Sequence, residues 1–377
     1  MAQEKLYAID LFSGCGGVTT GLTKAGIEVK AAVEINPIAV KTYKINHSVN
    51  VIEDNICQVS GNKLLECAGI TKKDILLLVA CPPCQGFSSI RKGGENDERN
   101  QLIYQFIRLI NSIHPEFILM ENVAGMSRGK GKQTFQDALQ RIQKNYVCVY
   151  NVVNAANYGV PQTRQRLVLH GIRKDVYKIV LGNNMQLSLP AYTHIDPTKK
   201  TATDNLPEWR NASVILGLPA INAGETYIGP GIYNHTCNDM SEINIKRIQY
   251  IRNHGGSRTC LPESLSLECH KGKTGHTDVY GIMDMNKPAP TITGGCMHYS
   301  KGRYGHPIQD RALSAREAAR LQSFDDDYIF IGNNAEVALQ IGNAVPVELA
   351  MASGRYFVNI FNVIKDEVLK KGSIPLN

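Results

Sequence analysis

Residues 6–17, LYAIDLFSGCGG, join an apolar run directly to a glycine-rich turn. The run LYAIDLF at 6–12 predicts a buried strand, and the glycines at 14, 16 and 17 predict a tight turn into a helix. Glycine lets the backbone approach a ligand closely, and the first N–H groups of a helix are free to bind one. The segment therefore predicts the first strand–turn–helix unit of a ligand-binding α/β domain.

The segments that follow repeat this alternation. EVKAAVEI at 28–35 predicts a second strand, and Asn36-Pro37 predicts the start of a helix, because proline is favoured at the first helical position. DILLLVA at 74–80 and PEFILMENV at 115–123 predict further strands, separated by apolar residues at helical spacing between 99 and 113. Such alternation is typical of a parallel sheet, so we predict an α/β, Rossmann-like fold.

Composition and charge narrow the class of protein. The chain has 377 residues, of which 43% are hydrophobic and 20% charged, and this predicts a compact globular protein with a large and a smaller domain. Its 41 basic and 34 acidic residues permit a polyanionic partner without requiring one. No apolar run approaches the roughly 18 to 20 residues that span a bilayer, and the first residues lack a signal pattern. We expect a cytoplasmic protein with no membrane partner and with its ten cysteines reduced.

Two acidic residues extend the predicted ligand site. Glu34 ends the second strand, where a carboxylate can accept hydrogen bonds from ribose hydroxyls, and Asp54 lies where it can hold an adenine amino group. Taken alone, each acid is more often a solvated surface charge than a ligand-binding residue. The glycine-rich turn itself suits nucleotides, flavins and S-adenosylmethionine alike.

CPPC at 81–84 follows the strand 74–80, at the edge where open parallel sheets place reactive groups. Two prolines fix the backbone ahead of Cys84 and limit the movement of its thiol. A generic cysteine is usually a packing residue, and Cys81 with Cys84 also has the spacing of a redox dithiol. Redox motifs normally open the first helix of a small domain, and the position after a later strand therefore favours a nucleophile.

Two further motifs supply polar side chains that can act beside a nucleophile. ENV at 121–123 ends a strand, so Glu121 is expected at the same sheet edge as Cys84 and can act as a proton donor. QTRQR at 162–166 follows a Tyr-Gly-Val-Pro turn, and an arginine there can orient a carboxylate or a carbonyl oxygen. Taken separately, each motif is more often structural than catalytic.

The order and spacing of seven segments resemble the cytosine-5 DNA methyltransferases, and specifically the bacterial or phage type II modification enzymes. These segments are DLFSGCGG, VEINP, PPCQGFS, ENV, QTRQR, REAARLQSF and QIGNAVP. One departure is Cys81, which stands where the family usually has glycine. The resemblance implies a sequence-specific DNA cytosine-5 methyltransferase that uses S-adenosylmethionine and releases S-adenosylhomocysteine.

The resemblance also implies roles for individual residues. Cys84, Glu121 and Arg166 are expected to be catalytic, with Arg164 beside them. The residues expected around the cofactor are Phe12, Cys15, Gly17, Glu34, Ile35, Asp54, Asn55, Pro83, Leu102, Asn343 and Ala344. In the implied mechanism, Cys84 attacks carbon 6 of a cytosine flipped out of the duplex, and Glu121 hydrogen-bonds ring nitrogen 3. Arg166 holds Glu121 and the carbonyl oxygen of the base.

The implied domain organisation is discontinuous. Residues 1–187 are expected to form the catalytic, cofactor-binding domain, and the loop-rich residues 188–335 are expected to form the target-recognition domain. Residues 336–377 are expected to return to the catalytic domain. The candidate DNA-binding residues are Ser88, Arg91, Lys92, Arg258, Lys273 and Arg303. All of these also fit ordinary solvated loops.

Several alternatives stay open at this point. A tRNA cytosine-5 methyltransferase shares the implied fold, although the long recognition region and QGFS after Cys84 favour DNA. A non-catalytic DNA-binding relative and a dithiol oxidoreductase are the other classes. The cysteines and histidines of the middle region lack the close paired spacing of zinc sites, so no metal is expected. We expect a monomer, in the bacterial cytosol or nucleoid, that acts on double-stranded DNA, with any cognate restriction endonuclease acting separately.

Overall fold

The computed structural model describes residues 3–83, 101–268 and 277–371. The chain divides into two compact units. The first comprises Met1–Tyr158, Gln165–Tyr192 and Val347–Asn377, and the second comprises Gly159–Arg164 and Thr193–Pro346. The predicted boundaries after residues 187 and 335 differ from this division. Residues 336–346 belong to the second unit because the helix that contains most of them packs within it.

A seven-stranded sheet forms the centre of the first unit. Its strands are β1 (Tyr7–Leu11), β2 (Glu28–Glu34), β3 (Asn50–Glu53), β4 (Leu76–Ala80), β5 (Phe117–Val123), β6 (Tyr146–Asn154) and β7 (Gln165–Arg173). The strand order is β3-β2-β1-β4-β5-β7-β6, and β7 runs antiparallel to the other six strands. The predicted Rossmann-like α/β fold is confirmed. From β1 the sheet grows in one direction through β2 and β3 and in the other through β4 and β5, so the direction of the strand order reverses between β1 and β4. Sheets of this type bind ligands at such a point, at the carboxyl ends of the strands.

Helices cover the sheet of the first unit. They are α1 (Gly17–Lys24), α2 (Pro37–Asn46), α3 (Gly61–Ala68), α4 (Leu102–Ile113), α5 (Gly125–Arg128), α6 (Lys132–Gln143), α7 (Lys174–Gly182) and α11 (Val347–Lys371). The predicted start of α2 is confirmed: the Asn36 side chain accepts hydrogen bonds from the backbone N–H groups of Ile38 and Ala39. The helical spacing predicted between 99 and 113 is confirmed by α4, whose apolar face is buried against the sheet.

The C-terminal helix α11 packs closely against α1. A methyl group at Gly21 would lie 2.5 Å from the carbonyl oxygen of Val347, and one at Gly354 would lie 2.7 Å from the Ala25 side chain. Glycine at these two positions therefore allows the two helix backbones to approach. The last described helix is thus part of the first unit, although the whole second unit precedes it in the chain.

The second unit contains the helices α8 (Glu242–Asn253), α9 (Ala315–Leu321) and α10 (Asn334–Asn343), joined by loops and short 3₁₀ turns. Ser314 and Glu317 form a capping box at the start of α9. The Glu317 carboxylate also receives two hydrogen bonds from the buried Arg311 guanidinium, at 2.8 and 2.7 Å. Helix α8 lies in a region expected to be irregular, and its Ile248 and Ile251 are buried in the core of this unit.

None of the helices in the described parts of the chain has the length and apolar composition that crossing a bilayer would require.

Candidate active site

The glycine-rich turn at the end of β1 has an unusual backbone. Phe12, Gly14 and Gly16 have positive φ angles of 60°, 54° and 96°. Glycine adopts such angles readily, whereas a phenylalanine does so at a cost that is typical of ligand-binding sites. The turn is held to the end of β2, because the backbone N–H of Gly14 donates a hydrogen bond of 2.8 Å to Oε2 of Glu34.

The carboxylate of Glu34 is fixed at the end of β2. Its Oε1 accepts hydrogen bonds from the backbone N–H groups of Ile35 (3.0 Å) and Asn36 (2.8 Å). The neighbouring Ile35 side chain is 62% exposed, which is unusual for a large apolar residue. A fixed carboxylate beside an exposed apolar surface provides the two features that a nucleoside needs, an acceptor for hydroxyls and a face for a ring.

The next strand end brings a second acid to this edge. Glu34 of β2 is paired in register with Glu53 of β3, and Asp54 follows immediately. Asp54 accepts hydrogen bonds from Lys63 Nζ (3.1 Å) and from the backbone N–H of Asn55 (2.7 Å). These bonds lower the pKa of the Asp54 carboxyl, so it is ionised at neutral pH. The Asn55 side chain caps the 3₁₀ turn that follows.

The remaining predicted cofactor residues occupy varied positions. Gly17 and Leu102 are the first residues of α1 and α4. Burial raises the pKa of the Cys15 thiol to about 12, so this residue offers its backbone and not a thiolate. Asn343 is the exposed last residue of α10, and Ala344 follows it, both in the second unit.

Asp10 beneath the turn was not predicted as a site residue. It is fully buried, and its Oδ2 accepts a hydrogen bond of 2.8 Å from Thr19 Oγ1, which also lies 2.8 Å from the Tyr43 hydroxyl. Its Oδ1 is a buried acceptor with no hydrogen-bond partner among the described residues. Burial raises the pKa of Asp10 to about 7. The signal in the sequence was an acid inside an otherwise apolar strand.

The predicted pair of Glu121 and Arg166 is present at the same sheet edge. The Nε atom of Arg166 lies 2.8 Å from Oε1 of Glu121, and each side chain is 12% exposed. The antiparallel register of β5 and β7 explains this contact, since Val123 faces Arg166 and Glu121 faces Val168. Residues two apart on a strand share a face, so the acid and the arginine meet diagonally. Arg166 also donates a hydrogen bond of 2.8 Å to the Gln165 carbonyl.

The residues that lead to the predicted nucleophile lie next to this pair. Ala80 of β4 is paired with Met120 of β5, which places Cys81, Pro82 and Pro83 level with the ENV segment. The Asn122 side chain donates a hydrogen bond of 2.9 Å to the Pro82 carbonyl. Asn122 is buried, and this anchoring role was not predicted from the ENV segment.

Cys84 lies outside the described residues, as do Ser88, Arg91, Lys92 and Lys273. The described Cys81 bears on the redox alternative. Burial and the nearby Glu121 carboxylate raise the pKa of its thiol well above the usual range. A thiol that stays protonated is a poor nucleophile and a poor partner in disulfide exchange. This chemistry disfavours the dithiol interpretation.

Arg164 differs from its prediction as a catalytic residue. Its buried guanidinium donates hydrogen bonds to the carbonyls of Ile292 (2.6 Å), Gly342 (2.8 Å) and Ala344 (3.3 Å), all within the second unit. These contacts indicate that Arg164 anchors two backbone segments. The difference arises because β7 begins at Gln165, so Arg164 and Arg166 belong to different units.

Two of the residues predicted to contact DNA, Arg258 and Arg303, lie in the described part of the chain. Arg258 is only 8% exposed, so its guanidinium is buried in the fold and is not displayed for contact with bases. Arg303 is exposed but forms an ion pair of 2.8 Å with Asp278. Within residues 3–83, 101–268 and 277–371, no group of three or more histidine, cysteine or acidic side chains is arranged to hold a metal ion.

Comparison with known proteins identifies the family. The family model described as C-5 cytosine-specific DNA methylase matches residues 6–358. The chain belongs to the C-5 cytosine-specific DNA methylases. This methylase is 37% identical to the type II methylase M.HgiDII of Herpetosiphon aurantiacus, over 90% of this chain and 92% of that protein. It is 34% identical to the type II methyltransferase M1.HphI of Haemophilus parahaemolyticus, over 92% of this chain and 85% of that protein.

Solved structures have the same fold as this methylase. A DNA modification methyltransferase encoded within an E. coli prophage has a TM-score of 0.65 and 24% identity, over 95% of this chain and all of that one. The S. pombe Dnmt2 methyltransferase has a TM-score of 0.58 and 17% identity, over 95% of this chain and 99% of that one. These structures support the fold, whereas the family model and the type II relatives identify the chain as a bacterial-type cytosine-5 DNA methyltransferase, as its motifs predicted.

Proposed function

We propose that this methyltransferase methylates carbon 5 of a specific cytosine in double-stranded DNA, through a transient covalent bond to Cys84, as the modification enzyme of a restriction system. The observation that best supports this chemistry is the ion pair of Glu121 and Arg166 beside the Pro82-Pro83 turn. That turn leads directly to Cys84 in the sequence. The type II relatives support the link to restriction.

The residues at the β1 and β2 ends fit S-adenosylmethionine as methyl donor. Glu34 would accept hydrogen bonds from ribose hydroxyls, and Ile35 would cover a face of the adenine ring. Asp54 is ionised and can accept a hydrogen bond from the adenine amino group. The buried Asp10 acceptor below the turn suits a group that carries an amine. When bound, the cofactor supplies an electrophilic methyl group on a sulfonium sulfur.

The residues of the chain would activate the base. The Cys84 thiolate forms a bond to carbon 6 of cytosine, and the ring electrons shift so that carbon 5 becomes nucleophilic. The carboxyl group of Glu121, in its protonated form, donates a hydrogen bond to ring nitrogen 3 and stabilises the negative charge that develops there. Once carbon 5 carries the methyl group, its proton leaves to a base and the sulfur–carbon bond breaks, which restores the aromatic ring and the Cys84 thiolate.

Arg166 would keep Glu121 in position for this step. Its Nε lies 2.8 Å from Oε1 of Glu121, and this contact would fix the carboxyl group for its interaction with the base. Burial lowers the pKa of Arg166, whereas the Glu121 carboxylate raises it, and the guanidinium stays charged at neutral pH. The target base must leave the duplex to reach these groups, at a cost on the order of a few kcal/mol that protein contacts with DNA have to offset.

Covalent trapping tests the proposal directly. Wild-type protein, S-adenosylmethionine and duplex DNA containing 5-fluorocytosine should give a stable protein–DNA adduct, because fluorine at carbon 5 prevents release of the sulfur. Cys84→Ser should give no adduct, and the matched control Cys81→Ser should give one. An adduct with Cys84→Ser, or its loss with Cys81→Ser alone, would assign the nucleophile elsewhere. Transfer to tRNA, assayed beside duplex DNA, should be absent.

A further inference from the structure

A basic segment directly follows the ENV end of β5. Residues 124–133, AGMSRGKGKQ, contain Arg128, Lys130 and Lys132 and no acidic residue. The three basic side chains are exposed, whereas Met126 and Gly131 are buried and anchor the segment to the core. The segment therefore presents three positive charges from a fixed backbone.

The topology places this segment at the edge of the sheet that carries the site. Strands β5 and β6 both run antiparallel to β7 and so are parallel to each other. Helix α6 connects them, and it must begin at the carboxyl edge of β5 and end at the amino edge of β6. Lys132 is the first residue of α6, and Arg128 ends the single turn of α5 that begins two residues after Val123. The cations thus lie on the Glu121 side of the sheet.

No acid among the described residues forms an ion pair with Arg128, Lys130 or Lys132. The nearest acid of α6, Asp137, is engaged by Arg141 Nε at 2.9 Å and by the Tyr104 hydroxyl at 2.7 Å. Glu121 is likewise engaged by Arg166. Within the described parts of the chain, no acid therefore neutralises these three cations, and their charge can attract an external anion.

We infer that Arg128, Lys130 and Lys132 bind the phosphodiester backbone of the DNA that flanks the flipped cytosine. Glycines at 129 and 131 alternate with the cations, so no large side chain holds the polyanion away from them. Contacts of this kind are independent of base sequence and position the duplex, while other parts of the protein read it. The inference rests on the proposed duplex substrate. It adds a contact site on the first unit.

The salt dependence of DNA binding tests this inference. Each phosphate contact that is lost reduces the slope of log affinity against log salt by about 0.9. The variant Arg128→Ala/Lys130→Ala/Lys132→Ala should therefore show a slope smaller by about 2.7. When the salt concentration is raised from about 50 to about 200 mM, the variant and the wild type both lose affinity. The factor lost by the variant should be about 40 times smaller than the factor lost by the wild type. Fluorescence anisotropy with a labelled duplex measures both quantities.

Two control variants make the result specific. Lys72→Ala/Lys73→Ala removes exposed charges that precede β4, at the opposite edge of the sheet, and should leave the slope unchanged. Arg128→Lys/Lys130→Arg/Lys132→Arg keeps every charge and should retain the wild-type slope.

If the triple alanine variant, folded by circular dichroism, keeps the wild-type slope, the inference is wrong. A slope lost equally in both alanine variants would show a general charge effect and would also contradict it. Failure of the wild type to methylate duplex DNA would instead overturn the proposed function.

Discussion

Replacement of Arg164 by methionine should destabilise the second unit without any direct effect on reacting atoms. Methionine keeps much of the length of the side chain but removes three hydrogen bonds to carbonyls, two of them at 2.6 and 2.8 Å. Bonds from a charged donor contribute about 1.5–3 kcal/mol each, so the two short ones suggest a loss of about 3–6 kcal/mol. Gln322 Nε2 also donates to the Ala344 carbonyl, at 3.2 Å, and keeps that segment partly held. We therefore expect the lower half of that range, about 3–4.5 kcal/mol.

The single tryptophan of the chain, Trp209, lies in the second unit and reports on its unfolding. Urea titration followed by tryptophan fluorescence should show an earlier transition for Arg164→Met. The matched control is Arg303→Met, which removes an exposed ion pair of the same unit and should cost less than about 1 kcal/mol. If Arg164→Met unfolded like the wild type but lost turnover, Arg164 would act at the reacting atoms, as its sequence motif predicted, and the anchoring role would be refuted.

Three further predictions follow from buried groups. Gly342→Ala should lower the free energy of unfolding in urea by about 1–3 kcal/mol or more, because the added methyl group would lie 2.2 Å from backbone atoms. The control Gly182→Ala places its methyl group in open space and should be neutral or slightly stabilising. A neutral Gly342→Ala would contradict the packing. Asp10→Asn should remove a pH dependence of the free energy of unfolding. Because the pKa of Asp10 is raised to about 7 in the folded protein, its contribution to stability is complete below about pH 4 and is lost as the pH rises to 7. The ligand-free variant should therefore gain stability relative to the wild type between pH 5 and 8, and parallel curves would refute the raised pKa. Asn122→Ala should lower turnover about tenfold, because the hydrogen bond that holds the Pro82 carbonyl is lost. The rate of methyl transfer at saturating substrates measures this, and an unchanged rate would exclude the anchoring role.

Local signals allowed much of the first unit to be predicted. The Asn36-Pro37 start of α2 depends on neighbouring residues only, and it is present. β3 was missed because Asn50–Glu53 is a four-residue strand with a polar residue at each end. Helix α8 was missed because only Ile248 and Ile251 of its face are buried, which leaves a weak periodic pattern.

Long-range placement could not be predicted from spacing. Only the resemblance to a known family implied that Arg166 holds Glu121, because their contact depends on the position of β7 between β5 and β6. Nothing in the order of the segments specifies that an antiparallel strand occupies this position. The same limit applies to Arg164, whose partners at Ile292 and Gly342 are more than a hundred residues away in the chain.

The packing of α11 on α1 has a consequence for synthesis of the protein. The face of α1 that carries Gly21 is completed only by residues after Val347, which leave the ribosome after the whole of 193–346. At about 5–20 residues per second, that stretch takes on the order of ten seconds or more to translate. During this interval α1 of the nascent first unit is not yet covered by α11. We therefore expect a chaperone to bind the exposed face of α1 until α11 has been synthesised.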